Sequence, residues 1–491
     1  MSLDLGRHIK NGEIILSSFG HDAQWKEVLY ENFYSSFFSS TPFVNHHWLG
    51  GVIFYLVYAL AGFVGLNLFF TAVSLMAFFL FFYVAKEEVG YKLAVPVAFF
   101  MTPLIAERVE IRPEIFSYFF AAIFLFCLWK FDRGRIKFWI LCVSLPLVEM
   151  LWVNSHIYFF VGPTLVGIFF LVYLARGKKQ KMKQTLCLLS LVILAGIMNP
   201  YGLAGFLYPL RVFENYGLLI MENLSVPAFA KIAPLYINIL FFKLSFAIFI
   251  LLSAAVFWLR RRSFPWAIFL ATLLFGLMTW RMMRNMTIYG FFVMVAIAIL
   301  LKLILSHPFF AKLSRRRFFP AVFTLVIILF TIYISFPRLN PAMAKSGLGV
   351  YEGNDYAAKF ILDNNISGPL FNDSDSGSYV IFHLFPFLQP FADNRPEAYP
   401  PGFYSDTYIS SQTTKSVWEE IDKKYEFNVI VYSLEDNTPW AVPFIIDRLD
   451  DSRWAPVYTD NYAIIFLKRN KLNESLVRQF EIPRSAYSVS R

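Results

Sequence analysis

The feature that most constrains this chain is a succession of apolar runs separated by short polar breaks. The runs lie near 65–85, 93–107, 115–131, 138–155, 157–175, 185–200, 242–259, 265–280, 286–305 and 318–335. Runs of about 15–20 apolar residues are long enough, as helices, to cross about 30 Å of hydrocarbon. The second run is short, and Pro96 and Pro103 interrupt it. Basic clusters occupy alternate breaks: Lys86–Lys92, Arg133–Lys137, Arg176–Lys183, Arg260–Arg262 and Arg315–Arg317. Lys and Arg concentrate in cytoplasmic loops. With the first residue outside, ten crossings put all five clusters in the cytoplasm and return the C-terminus to the outside.

Composition agrees with that reading. The chain has 57% hydrophobic and 16% charged residues, against about 25% charged in soluble domains. Its net charge of +10 crowds into loops between apolar spans, where it sets topology, which argues against a nucleic-acid partner. Cys127, Cys142 and Cys187 all lie within apolar runs and form neither a disulfide framework nor a zinc spacing. The opening MSLDLGRHIKNGE lacks the charged, apolar and cleavage regions of a signal peptide. Since topology puts it outside, either the following spans deliver it or, the favoured expectation, a leading transmembrane helix lies upstream of it.

Three domains are expected. Residues 1–64 form a first outer loop, in which Trp48–Ala61 lies in the membrane interface; residues 65–335 form the transmembrane helical bundle. An outer loop from Tyr201 to Lys243 carries one or two interfacial helices. Residues 336–491 form an extracytoplasmic α/β domain, entered through Pro337 and Pro341. Its expected strands are Gly368–Asn372, Ser378–Leu384, Pro390–Ala392, Asn428–Tyr432 and Tyr462–Leu467; its expected helices are Tyr356–Asp363, Ser416–Tyr425 and Pro443–Leu449. The fold class is thus a polytopic α-helical membrane protein of about ten transmembrane helices with a small C-terminal α/β domain.

The polar residues suited to chemistry all sort to the outer loops. Asp4 and His8 sit one helical turn apart, an arrangement that suits proton transfer from a hydroxyl, a divalent metal, or simply a solvated terminus. His46 and His47 precede the interfacial helix and are as readily structural as metal-binding. Arg112-Pro113-Glu114 opens the third crossing, where Pro and Glu favour a helix N-terminus and Arg112 suits a phosphate. Asn154 and His156 occupy a tight outer turn, and Asn199 and Tyr201 another. Arg281 and Arg284 lie at an outer helix end, against the charge rule, and need a partner; a phosphate of a lipid-linked substrate is a natural one. The Asn372-Asp373-Ser374-Asp375 segment lacks the spaced ligands of a calcium loop. Asp393-Asn394-Arg395 reads as a structural or docking turn.

These residues also carry a resemblance. Asp4-Leu-Gly-Arg-His8 with Gly12, His47-Trp48-Leu49, Arg112-Pro113-Glu114, Trp152-Val-Asn154-Ser-His156 and Asn199-Pro-Tyr-Gly202 stand in the order found in bacterial polytopic glycosyltransferases of the GT-C fold. The group they resemble is related to the oligosaccharyltransferases and protein mannosyltransferases. Ser376-Gly377-Ser-Tyr379 and Asp393-Asn-Arg395 are similar to its appended domain. The resemblance implies an inverting hexosyl- or pentosyltransferase of the cytoplasmic (inner) membrane, with its active site outside. It implies a polyprenyl-phosphate-sugar donor and a lipid, glycan or protein acceptor, amid membrane lipids. Asp4 would be the catalytic base, with His8 and Glu114 beside it in catalysis. His47, Arg112, Asn154, His156, Asn199, Tyr201, Arg281 and Arg284 would bind substrate. Two features depart from the family: Asp4 stands beside Leu5 where many members pair two acids, and the family's first transmembrane helix is missing.

A transporter or lipid flippase is the competing class. It predicts inverted repeats and ionisable groups deep in the bundle, whereas no repeat is evident and most charges lie near a membrane surface. A scaffold would explain the outer domain but not the outer arginines.

Overall fold

The computed structural model describes residues 4–108, 110–211, 217–218, 220–308, 322, 324–333 and 347–487. The Arg315–Arg317 cluster, both ends of the tenth expected span, and Pro337 and Pro341 lie outside them. In chain order the elements used below are helices α1 (Leu5–Ser18), α2 (Trp48–Val89), α3 (Tyr91–Ile105), α4 (Glu114–Asp132), α5 (Phe138–Ser155), α6 (Val161–Ala175), α7 (Lys179–Gly196), α8 (Ile237–Arg260), α9 (Trp266–Arg281), α10 (Met286–Leu305), α11 (Tyr356–Asp363), α12 (Gly377–Leu384), α13 (Lys415–Tyr425) and α14 (Ala441–Leu449). Strands β1 (Leu370–Asn372), β2 (Val429–Ser433), β3 (Trp454–Thr459) and β4 (Ala463–Lys468) accompany the last four. The chain divides into two compact units, one of Met1–Asn67, Leu210–Leu219 and Gly347–Arg491, the other of Leu68–Pro209 and Ile220–Ser346.

The second unit is the helical bundle. Among the described residues of the whole chain, six helices are long and apolar enough to cross a membrane; α3, α9 and Thr324–Tyr333 are shorter apolar helices. Each expected span falls on a helix, but the count of ten stays an expectation. At the centre lies α10, with Met286–Leu300 all buried, packed against α3, α8 and α9. A helix enclosed on all sides is apolar all round, which is why its sequence shows no polar face.

In the first unit, the helix beginning at Trp48 breaks at Ala61 and Gly62, where the backbone leaves helical geometry and Gly62 has φ +61°. The break falls where the sequence separates an interfacial stretch from the first long span. The α/β part forms a four-stranded sheet of order β1-β2-β4-β3, with β1 parallel to β2 and the other pairs antiparallel. One face, with Phe371, Ile430 and Phe466, packs on Trp418 and Phe444 of α13 and α14. The other, with Leu370, Val431 and Ile465, packs on Ile361 of α11 and Val380 of α12. Burial on both faces makes the strands continuous apolar runs.

Three expectations in this domain are corrected. Ser378–Leu384 is helical, as α12; its apolar residues are buried on several sides, so their β-type composition reflects burial, and β-propensity is context-dependent. Pro390–Ala392 forms no strand. The side-chain amide of Asn372 takes the place of a neighbouring strand, accepting from Phe391 N at 2.8 Å and donating to Ala392 O at 2.8 Å. Conversely β3 was not expected. Its Pro456 argues against a central strand, and the structure accommodates it on the sheet edge beside a register shift between Pro456 and Tyr458.

Candidate functional site

The singled-out residues form two groups, one in each unit. In the first unit, Asp4 is the N-cap residue of α1. Its carboxylate pairs with Arg7 Nη2 at 3.1 Å and accepts from Asn394 Nδ2 at 2.6 Å. Arg7 N donates to Ser378 Oγ at 2.9 Å, so the first turn of α1 is fixed to α12. Asn394 is itself held by its neighbours. Arg395 forks onto Asp393 (2.9 and 2.5 Å), donates to Asn32 Oδ1 at 2.7 Å, and lies over the ring of Phe43. The Asp393-Asn394-Arg395 turn is therefore a buried clamp that presents Asn394 to Asp4.

His8 is buried, its ring 5.5 Å from that of His47 in a T-shaped contact, with His46 4.1 Å beyond. The approach of α1 to the start of α2 depends on Gly12 and Gly51. A Cβ on Gly51 would meet the His8 carbonyl oxygen at 2.7 Å, and one on Gly12 would meet the Gly51 backbone. Among the described residues no three His, Cys, Asp or Glu side chains gather as metal ligands. Around Asp4 the donor set does not fit a divalent cation, because a guanidinium already faces the carboxylate.

In the second unit, a cluster of arginines and acids gathers where α3, α4 and α10 begin or end. Arg284 lies in the 3-10 turn Met283–Asn285 that leads into α10. Its Nη2 meets Glu114 Oε1 at 3.0 Å, and Nη1 donates to Asn223 Oδ1 at 3.1 Å. Glu114, at the first turn of α4, also faces Arg108 Nε at 3.4 Å and accepts from Tyr118 OH at 3.3 Å. Glu222 pairs with Arg108 and with Arg112 Nη1 (3.3 Å) and lies 3.9 Å from Arg284. Arg112 also pairs with Glu110 at 2.8 Å. Burial works against the Arg108 charge, but Glu114 and Glu222 outweigh it and raise its affinity for the proton. The partner that Arg284 required is thus present within the protein.

Arg112, Glu114 and Arg284 come together as a set, while Arg281 is exposed at the end of α9. The remaining singled-out turn residues hold helix ends. Asn154 Nδ2 donates to Met150 O and Met198 O at 2.7 and 2.9 Å, tying α5 to the end of α7. His156 Nδ1 meets Ser117 Oγ at 2.7 Å, and that hydroxyl accepts from Trp152 Nε1 at 2.7 Å. Asn199 braces its own turn, accepting from Tyr201 N at 2.9 Å and donating to Gly202 O at 2.9 Å. Sequence singles out neither Arg108 nor Glu222; it marks Asn394 only within a structural or docking turn and Arg7 only within the Asp4–His8 motif. Arg108 and Glu222 each carry a legible signal, a charge in a break between apolar spans.

No protein-family model matches the chain, and no curated protein matches its sequence. Solved structures do. The oligosaccharyltransferase of Archaeoglobus fulgidus in its apo form superposes with a TM-score of 0.59 at 14% identity, over 96% of this chain and 71% of that one. The same enzyme tethered by a disulfide bond to an acceptor peptide containing the NVT sequon gives 0.57 at 14% identity, over 96% and 70%. At that identity the likeness concerns architecture: the chain has the fold of an archaeal oligosaccharyltransferase.

Proposed function

We propose that the protein is a membrane glycosyltransferase that moves a sugar from a polyprenyl-phosphate-linked donor to an acceptor on the outer face of the cytoplasmic membrane. The observation that carries this reading is the cluster of Arg108, Arg112 and Arg284 at one end of a bundle with the oligosaccharyltransferase fold. Arginine forks match phosphate oxygens. Glu222, more exposed than Glu114, holds Arg108 and Arg112 in the absence of donor and yields them to the donor phosphate.

Asp4 acts as the base. The acceptor's nucleophile loses its proton to Asp4 as the anomeric carbon leaves the phosphate oxygen, with inversion. Asn394 orients the Asp4 carboxylate through its hydrogen bond. The tethered peptide of the archaeal enzyme favours a protein acceptor.

The test offers purified protein in lipid a panel of polyprenyl-phosphate sugars with peptide acceptors. Loss of donor is followed for wild type and Asp4→Asn. Turnover reduced about 10²-fold or more by the substitution, the usual weight of a positioned base, is expected. Turnover insensitive to the substitution keeps the class and removes Asp4 as base. Failure to bind any donor overturns the reading and points to transport.

A further inference from the structure

Helix α4 carries Glu114 at one end and Asp132 at the other, roughly 27 Å apart at 1.5 Å per residue. The second end borders a cavity of about 100 Å³ that the transferase reading does not use. Phe169, Ile268 and Ile299 give it an apolar floor, while Arg133 and Arg176 bring positive charge to its lining. Trp129, Tyr173 and Trp266 also line it; such amphipathic rings favour the level of lipid headgroups.

The acids nearby are already engaged. Asp132 accepts from Tyr173 OH at 2.9 Å and faces Lys181 Nζ at 3.6 Å. Glu88 accepts from Trp129 Nε1 at 2.7 Å and pairs with Arg133 and with Lys302 at 3.1 Å. Three cations, Arg133, Lys181 and Lys302, pair with these two carboxylates, and Arg176 adds a fourth positive charge at the lining, leaving an excess of positive charge. Arg133 gives Glu88 one guanidinium nitrogen, and Arg176 gives one to Phe264 O at 2.6 Å. Each retains further N–H donors among the described residues.

We propose that this cavity binds an anionic phospholipid, its phosphate on Arg133 and Arg176 and its first acyl carbons on the apolar floor. Basic pockets between transmembrane helices take anionic headgroups in this way. A soluble phosphate would use the arginines but not the floor, and a zwitterionic lipid would use the floor but not the excess charge. The site requires only that the bundle spans a membrane and does not depend on glycosyl transfer.

The test is native mass spectrometry of the full chain released from bilayer discs holding equal phosphatidylglycerol and phosphatidylcholine. Wild type is expected to retain phosphatidylglycerol preferentially. Arg176→Gln, at an exposed position, should lower that retention about five-fold, the equivalent of the roughly 1 kcal/mol a basic residue contributes at an anionic surface. Ala267→Phe should lower it by filling the cavity from its lining. Lys183→Gln, a cation outside the lining, should leave it unchanged. Equal retention of the two lipids, an equal loss in Lys183→Gln, or displacement by excess inorganic phosphate overturns the proposal.

Discussion

Glu114 and Arg284 meet at 3.0 Å across 170 residues of chain, joining the first turn of α4 to the turn that starts α10. Both side chains are largely buried, and each has a second partner of opposite charge, Arg108 for Glu114 and Glu222 for Arg284. Removing Arg284 leaves Glu114 with Arg108 as its counter-charge. Arg284→Gln is therefore expected to destabilise the bundle, by less than the cost of a fully stranded buried charge, about 3–5 kcal/mol. Glu114→Gln combined with Arg284→Gln should recover part of that loss. Thermal unfolding in detergent reads both effects, and simple additivity of the two single substitutions would remove the coupling.

Glu222 competes with donor phosphate in the proposed function, so Glu222→Gln should tighten donor binding. Calorimetric titration with a polyprenyl-phosphate sugar provides the readout. Weaker binding would mean that Glu222 positions the arginines instead of masking them.

Two groups in the first unit titrate in opposite senses. Burial pulls the His383 imidazole down to about 4 from its ordinary 6.5. Its contribution is present above pH 6.5 and lost as pH falls through about 4. Burial, with Asp375 and Asp436 adding to it, pushes the Asp373 carboxyl up to about 7 from 3.8. That contribution is full below pH 3.8 and lost as pH rises through about 7. Between pH 4 and 6.5 the two slopes oppose. Relative to wild type, His383→Phe should gain stability as pH falls through this window, and Asp373→Asn should lose it. Melting temperatures across pH that run parallel for all three proteins would refute the assignment.

A methyl group has no room on Gly12. Its Cβ would meet the Gly51 carbonyl carbon and Tyr55 Cβ, both at 2.7 Å, so Gly12→Val should lower stability by about 1–3 kcal/mol through overpacking. Gly167→Ala, where nothing lies within 4 Å, should be close to neutral. Equal melting temperatures for the two variants would contradict the close approach of α1 to α2.

Glu149 is fully buried in α5, and neither carboxyl oxygen has a hydrogen-bond partner among the described residues. Gly162 of α6 and Gly196 of α7 leave the space its carboxyl occupies. Unsatisfied polar groups cost about 1–3 kcal/mol, so Glu149→Met should raise the melting temperature. A lowered one would show that the carboxyl is satisfied in the membrane.

Much of the bundle was legible because transmembrane helices are written locally. Each expected span is a contiguous apolar run, six of the described helices are long and apolar enough to cross a membrane, and runs such as 138–155 and 286–305 coincide with α5 and α10. The α/β domain was less legible. Its strands are short and buried on both faces, so period-2 alternation is lost; the apolar run of α12 has strand-like composition, and Pro456 masks β3.

What the sequence determined by itself was therefore one-dimensional: where helices lie, where the basic breaks fall, and that polar residues sort between the other breaks. Tertiary structure alone decided the partners. Asp4 finds Asn394 across 390 residues, and Glu114 finds Arg284 across 170. Apolar length is a property of one segment. An ion pair or hydrogen bond needs two side chains within about 3 Å, and only folding brings such distant parts of the chain that close.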